Sequence, residues 1–263
     1  MTMRAMILSR IIEEKKRNVE EAKRVRPQEA LMRETKGICV KSAFRKNMSR
    51  PHHVNLIAEI KKASPSRGII RGDFNPAKIA MTYQANGASA ISVLTDERFF
   101  EGRLEYIKKV KENISLPVLR KDFIIDEYQI YESVAAGADA ILLIADLLSV
   151  NELTGFYNLA ASLGLDVLME VHDEEDIEKA LATEALIIGI NNRDLHTFRA
   201  DLSATQKLIR LLPQNKIKVS ESGIKSYEDV MFLKSLGVNA VLIGEAFLEA
   251  EDIAGKMREI MRY

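Results

Sequence analysis

Beyond position 54 the apolar residues gather into short, nearly continuous runs, separated by stretches in which they recur at helical spacing. Runs of this kind lack the alternation of a half-exposed strand and mark strands covered on both faces. Three of them follow one repeated junction: Gly87-Ala88-Ser89-Ala90-Ile91, Gly137-Ala138-Asp139-Ala140-Ile141 and Gly237-Val238-Asn239-Ala240-Val241. Glu184-Ala185-Leu186-Ile187 falls near the missing position, and the spacing is about 50 residues. In each junction a glycine stops a helix and an apolar strand begins, which predicts strands near 90–95, 139–145, 186–190 and 239–243. Four more runs lie between them, from Asn55 to Ile60, Pro117 to Arg120, Leu165 to Val171 and Ile217 to Ser220. Helical spacing predicts helices over 76–86, 103–113, 126–136, 149–163, 173–183, 203–211, 226–236 and 250–261, with Asp173 and Ser226 as N-caps. A two-strand, two-helix quarter used four times predicts an α/β fold closed as a (β/α)8 TIM barrel. The competing architecture, an open doubly wound sheet, carries no such fourfold period and usually has a glycine-rich dinucleotide turn after its first strand.

Residues 1–50 stand outside this count and read as an N-terminal helical extension of one or two helices packed on a barrel spanning 51–263. Ile7, Leu8, Ile11, Ile12, Val19 and Val25 are interleaved with charges at helical spacing, too polar for a signal sequence or a membrane span, and Pro27 and Gly37 break the segment. Lysine plus arginine and aspartate plus glutamate both number 38, so no basic face for nucleic acid or an anionic membrane is expected. The single cysteine, Cys39, leaves no disulfide framework and no cysteine metal cluster, which suits a reducing cytoplasm. His52, His53, His172 and His196 match no metal-ligand spacing, so no metal is expected.

Barrel enzymes take their reactive groups from the C-terminal ends of the strands. Read at those ends, the chain offers Glu59 and Lys61, Thr95 and Asp96, Lys121 and Asp122, Asp146, Glu170, Asn191 and Arg193, Ser220 to Gly223, and Gly244. The strand starts are apolar or small. Lys61 and Lys121 can hold an anion or, with their proton affinity lowered in a dry pocket, donate a proton; the alternative is a surface lysine lying over apolar neighbours. Glu59 and Glu170 can act as bases or pair structurally with lysine. Asn191 and Arg193 offer an amide and a planar fork, or merely a polar turn with Asp194. Ser220-Glu221-Ser222-Gly223 and Gly244-Glu245 follow strands seven and eight, where this fold commonly binds phosphate through backbone N–H groups. Phe99 and Phe100 can wall an aromatic pocket or cap the core. These residues alone support a metal-free acid/base enzyme acting on a small phosphorylated molecule.

Leu56-Ile57-Ala58-Glu59-Ile60-Lys61-Lys62-Ala63-Ser64-Pro65-Ser66-Arg67-Gly68 closely resembles the first-strand signature of indole-3-glycerol phosphate synthases. The resemblance continues through Val93-Leu94-Thr95-Asp96, Leu119-Arg120-Lys121-Asp122-Phe123, Leu168-Met169-Glu170-Val171-His172, Gly189-Ile190-Asn191-Asn192-Arg193, Val219-Ser220-Glu221-Ser222-Gly223 and Leu242-Ile243-Gly244. It implies a cofactor-free carboxy-lyase of tryptophan biosynthesis that closes the indole ring of 1-(2-carboxyphenylamino)-1-deoxyribulose 5-phosphate, releasing carbon dioxide and water. It implies Lys121 as general acid and Glu170 as the carboxylate assisting proton removal. Lys61 would bind phosphate or carboxylate or act as a second proton donor. Glu59, Asn191 and Glu221 would position groups, Ser222 would approach the sugar hydroxyls, and Arg193 would hold those carboxylates in place. Gly223 and Gly244 match the phosphate cradle, and Leu142, Phe99 and Phe100 the apolar pocket.

Glu245 stands where some members have serine or threonine, and Arg67 and His196 where lysine is frequent, which bears on substrate affinity. A phosphoribosylanthranilate isomerase or another phosphate-binding barrel would share the loops after strands seven and eight but not both lysines with Glu170. A non-catalytic subunit of a pathway complex would be expected to lose the charged mouth. Other tryptophan-pathway enzymes are expected as separate chains, since no isomerase segment follows residue 263.

Overall fold

The computed structural model describes residues 3–51, 53–65, 67–193 and 200–262; for residues 3–8 only the backbone is described. His52, Ser66, Asp194 and His196 lie outside the described residues. Eight parallel strands close into a barrel. In chain order they are β1 Asn55–Ile60, β2 Ala90–Leu94, β3 Val118–Lys121, β4 Ala140–Ile144, β5 Asp166–Val171, β6 Ile187–Asn191, β7 Ile217–Glu221 and β8 Ala240–Ile243. Each pairs with its sequence neighbour, and Leu56 opposite Val241 closes the ring. The predicted runs correspond to these strands within a residue or two.

Both strand faces are dry, but they face different cores. On β1, Leu56, Ala58 and Ile60 pack outward against the helices, whereas Ile57 joins Leu119, Leu142, Leu168, Val219 and Leu242 inside the barrel. Strand side chains alternate strictly, so the parity of that interior set runs on to the mouth. It makes Glu59, Lys121, Glu170, Asn191 and Glu221 the last inward-facing residues of β1, β3, β5, β6 and β7. Arg120 has the opposite parity and turns outward, beneath helix Glu127–Ala136.

The helical shell is set by local signals. Asp173 and Ser226 cap the predicted helices, Ser226 through a reciprocal box with Asp229. Gly137 ends its helix in the left-handed region at φ 86°, where a side chain would be strained. Three helices precede the barrel: α1 Met3–Val25, α2 Gln28–Thr35 and α3 Phe44–Met48. Pro27 and Gly37 flank α2 as breakers. The third was not anticipated, and it is no surface addition. Phe44 and Met48 are fully buried within the barrel's interior cluster and plug the end opposite the mouth, so residues 44–48 are core despite preceding residue 51. A buried phenylalanine truncated to alanine typically costs about 3–5 kcal/mol. The loop after β1 folds back as a two-residue ribbon, Ala63–Ser64 against Gly68–Ile69, too short to show a period in sequence. Among the described residues no helix is long and apolar enough to cross a membrane.

Candidate active site

The strand C-termini open into a cavity of about 1040 Å³. Its floor carries the inward-facing charges defined by strand parity. The Lys121 ammonium donates to Glu170 Oε2 at 2.9 Å and lies 3.6 Å from Glu221 Oε2. Lys61 pairs with Glu59 Oε1 at 2.7 Å. Asn191 lines the same floor, and its side-chain oxygen accepts the Arg193 N–H at 3.0 Å. His172 lies with Nε2 3.3 Å from Glu170 Oε1 and Nδ1 3.5 Å from Asp176, and neither nitrogen makes an aligned hydrogen bond among the described residues.

Three carboxylates against two lysines leave one acid short of a partner. That acid is Glu221, only 1% exposed, with neither oxygen hydrogen-bonded among the described residues. Burial, with the Glu170 charge beside it, pushes its carboxyl up to about 8, against the partial relief offered by Lys121. Glu170 is displaced the other way: Lys121 and His172 overcome the penalty of its burial and hold it well below the ordinary range. Burial opposes the charged form of Lys121 as well, but Glu170, Glu221 and Glu59 outweigh it, so its proton is held more tightly than in water. This reverses the lowered affinity expected for a lysine in a dry pocket. Ringing the ammonium with acids changes the sign.

Two glycines make this crowding possible. A Cβ on Gly189 would lie 2.1 Å from Glu221 Oε1, and one on Gly244 would lie 2.8 Å from the Glu59 side chain. Gly244 is therefore required by the buried acid behind it, whatever else its N–H does. Ser222 takes a positive φ of 68°, a strain on the order of 1–3 kcal/mol of the kind that clusters at active sites. Arg193 donates to one oxygen of Glu245 at 3.1 Å and Arg67 to the other at 3.2 Å, so a carboxylate already joins the two guanidinium groups. The other rim is apolar: Phe100 and Phe123 meet with ring centroids 6.3 Å apart, and Leu142 and Ile11 of α1 complete the lining.

A sequence profile of the indole-3-glycerol phosphate synthase family matches residues 8–260. An indole-3-glycerol phosphate synthase of Thermoanaerobacter pseudethanolicus is 51% identical over 257 residues, 98% of each chain. One of Acetivibrio thermocellus is 56% identical over 206 residues, 78% of this chain and 79% of its own. The chain belongs to the indole-3-glycerol phosphate synthase family. Its members are lyases that close the indole ring with decarboxylation. The barrel itself is more widespread: 3-hexulose-6-phosphate synthase of Salmonella typhimurium superposes with a TM-score of 0.64 over 80% of this chain and 97% of its own, at 18% identity.

Of the residues expected at the synthase site, Glu59, Lys61, Phe100, Lys121, Leu142, Glu170, Asn191, Arg193, Glu221, Ser222, Gly223, Gly244 and Glu245 line the one cavity. Phe99 does not; its place beside Phe100 is taken by Phe123, the second aromatic residue of the wall. Phe123 follows Lys121 at even spacing, and parity would have found it. His172 and Ile11 carried weaker signals, one an isolated histidine and the other a helix position whose partner is remote in sequence.

Proposed function

We propose that the chain converts 1-(2-carboxyphenylamino)-1-deoxyribulose 5-phosphate into indole-3-glycerol phosphate, with Lys121 as general acid and Glu170 as the proton acceptor. The observation that carries this reading is the 2.9 Å contact between the two, buried at the ends of β3 and β5 on the cavity floor. The aromatic carbon bearing the carboxylate adds to the ketone carbon, and Lys121 protonates the ketone oxygen as it takes the electron pair. Carbon dioxide then leaves and its bonding pair returns to the ring. Loss of the new hydroxyl as water needs one proton delivered to that oxygen and one removed from the neighbouring carbon. Lys61 serves the first and Glu170 the second. Two protons given and one taken match the single proton consumed when a carboxylate departs as carbon dioxide.

The acids around Lys121 keep its ammonium charged in the free site, so the acid form is in place when charge gathers on the ketone oxygen. Burial and the Glu170 charge make Glu221 hold a proton more readily than an ordinary carboxylate, and in that form it can donate a hydrogen bond to the substrate. Phe100, Phe123 and Leu142 hold the aromatic ring, and Glu59 keeps Lys61 in place. The loops of Gly223 and Gly244 take the phosphate, with Arg193 and Lys61 beside them. We place the enzyme in the cytoplasm, a reading the biosynthetic family supports.

Lys121→Arg and Lys121→Met test the acid assignment. Both should bind a substrate analogue, and both should lose on the order of 10²-fold or more in kcat, because a guanidinium is a poor proton donor. If arginine restores most of what methionine loses, Lys121 is an electrostatic clamp and the proton comes from elsewhere.

A further inference from the structure

Helix α1 buries one charged side chain that the reaction scheme leaves unused. Lys15 is 8% exposed, with Nζ 2.8 Å from Asp96 Oδ2 and 2.7 Å from Asp122 Oδ1. Lysine is rarely buried unless paired, and this one is paired twice, at the ends of two strands. Asp96 follows β2, and its other oxygen accepts the Phe99 N–H at 2.9 Å, capping the short helix that carries Phe100. Asp122 immediately follows Lys121. Its Oδ1 also accepts the Phe123 N–H at 2.8 Å, and its Oδ2 accepts the Thr95 hydroxyl at 2.6 Å and Arg120 Nη2 at 3.0 Å. Arg120 continues to Glu132 at 2.8 Å and to Ser133 at 3.1 Å. A continuous buried network therefore runs from α1, through the residue after Lys121, to the far side of β3.

Ile11, four residues before Lys15, lines the cavity, and that spacing puts both side chains on one face of α1. The same face thus closes the mouth and grips the strand ends beneath it. We propose that Lys15 is a positioning residue of the active site: by bridging Asp96 and Asp122 it locks the end of β3, and with it Lys121 and the Phe100–Phe123 wall, in the reactive arrangement. The proposal rests on the assignment of Lys121 to the reaction centre. It gives the Ile11–Lys15 face of α1 a part in positioning the active site, while the rest of the helix belongs to the outer shell. Lys23, farther along α1, pairs with Asp126 at 2.7 Å but is 28% exposed and does not line the cavity, so it supplies an anchor of the same helix without the same reach.

Lys15→Met leaves Asp96 and Asp122 buried without their shared cation and should lower stability, so its folding is checked by circular dichroism before it is assayed. The test is steady-state kinetics on the full chain for Lys15→Met, Asp96→Asn, their double variant and Lys23→Met. Misplacement of a reacting group by about 1 Å can cost about 10²-fold, so Lys15→Met should lose about 10- to 100-fold, mostly in kcat. Asp96→Asn keeps the Phe99 cap and loses the charge, and should move kcat in the same direction. The double variant should be no slower than the slower single one, because both remove one shared interaction. Lys23→Met should leave kcat unchanged. A Lys15→Met kcat within about twofold of the parent, additive losses in the double variant, or an equal loss in Lys23→Met would each overturn the proposal. If Lys15→Met fails to fold, Asp96→Asn with normal kcat overturns it alone. Lys121→Met measured alongside separates the two ideas. Full turnover there sinks the acid assignment, whereas its loss together with an unaffected Lys15→Met sinks only the role of Lys15.

Discussion

The β2–β3 side of the barrel mouth and the β5–β7 side bury the same kinds of residue and use them differently. Around β3, Asp122 engages both oxygens, with Lys15 and the Phe123 N–H on one and Thr95 and Arg120 on the other. Around β7, Glu221 has no hydrogen bond among the described residues and stands beside two further carboxylates. Burial penalises both acids equally in kind. Lys15 and Arg120 overcome it at Asp122, whose carboxyl falls to about 2, and nothing comparable does so at Glu221, whose carboxyl rises to about 8. A fully partnered network is stiff, because every proton and lone pair has one place to go. An under-partnered one keeps donors and acceptors available for a ligand, at a cost in stability. Scaffold and chemistry are thus distinguished by the number of partners rather than by residue type.

The contrast is tested most severely at Asp122. Asp122→Asn strips a buried cation cluster of its central anion and should destabilise the fold by about 3–5 kcal/mol in urea unfolding. A loss under about 1 kcal/mol would mean the network is not the scaffold it resembles. The sign of its pH dependence follows from a depressed folded-state value. The stabilisation is present above the ordinary value of 3.8 and is lost as pH falls toward about 2, so the parent's stability should fall more steeply in that window than the variant's.

On the other side the effect moves from stability to rate. Glu170→Gln keeps shape and hydrogen bonding but takes no proton, and should lower kcat by about 10²-fold with little change in KM. Near-normal turnover would return Glu170 to a structural partner of Lys121.

Glu221→Gln should do what no substitution at Asp122 can, and raise stability. A folded-state value above the ordinary 4.5 means that the parent loses stability as pH rises from there to about 8, because the unfolded chain releases its proton first. The variant should therefore become progressively more stable than the parent as pH rises from 4.5 toward 8 and match it near pH 4, while turning over more slowly. Thermal melts at the two pH values decide it, and equal stabilities would remove the asymmetry. The smallest effect is expected at Glu245, whose carboxylate lies between Arg67 and Arg193 where an incoming phosphate would compete. Glu245→Ser should lower KM by about two- to fivefold with kcat unchanged, and a raised KM would make Glu245 a substrate ligand.

Most of the architecture could be read from the chain because its signals are local. The period of apolar runs placed all eight strands, and Asp173 and Ser226 capped where side-chain chemistry required. The inward-facing acids and lysines were also legible, since alternation along a strand carries its facing from core to mouth. The ribbon after β1 and the plug formed by Phe44 and Met48 were not, one too short for a period and the other recognisable only by what it fills.

Strand order, helix ends and the list of charges at the mouth thus follow from residues within a few positions of one another. Which charges meet does not. The union of Lys15 with Asp96 and Asp122 depends on where a helix lands on a closed barrel. The upward shift of Lys121, against the expectation for a dry pocket, depends on three acids from β1, β5 and β7 converging on β3. Electrostatic energy depends on distance through space and on exclusion of water. Barrel closure sets both, and neither is encoded in separation along the chain.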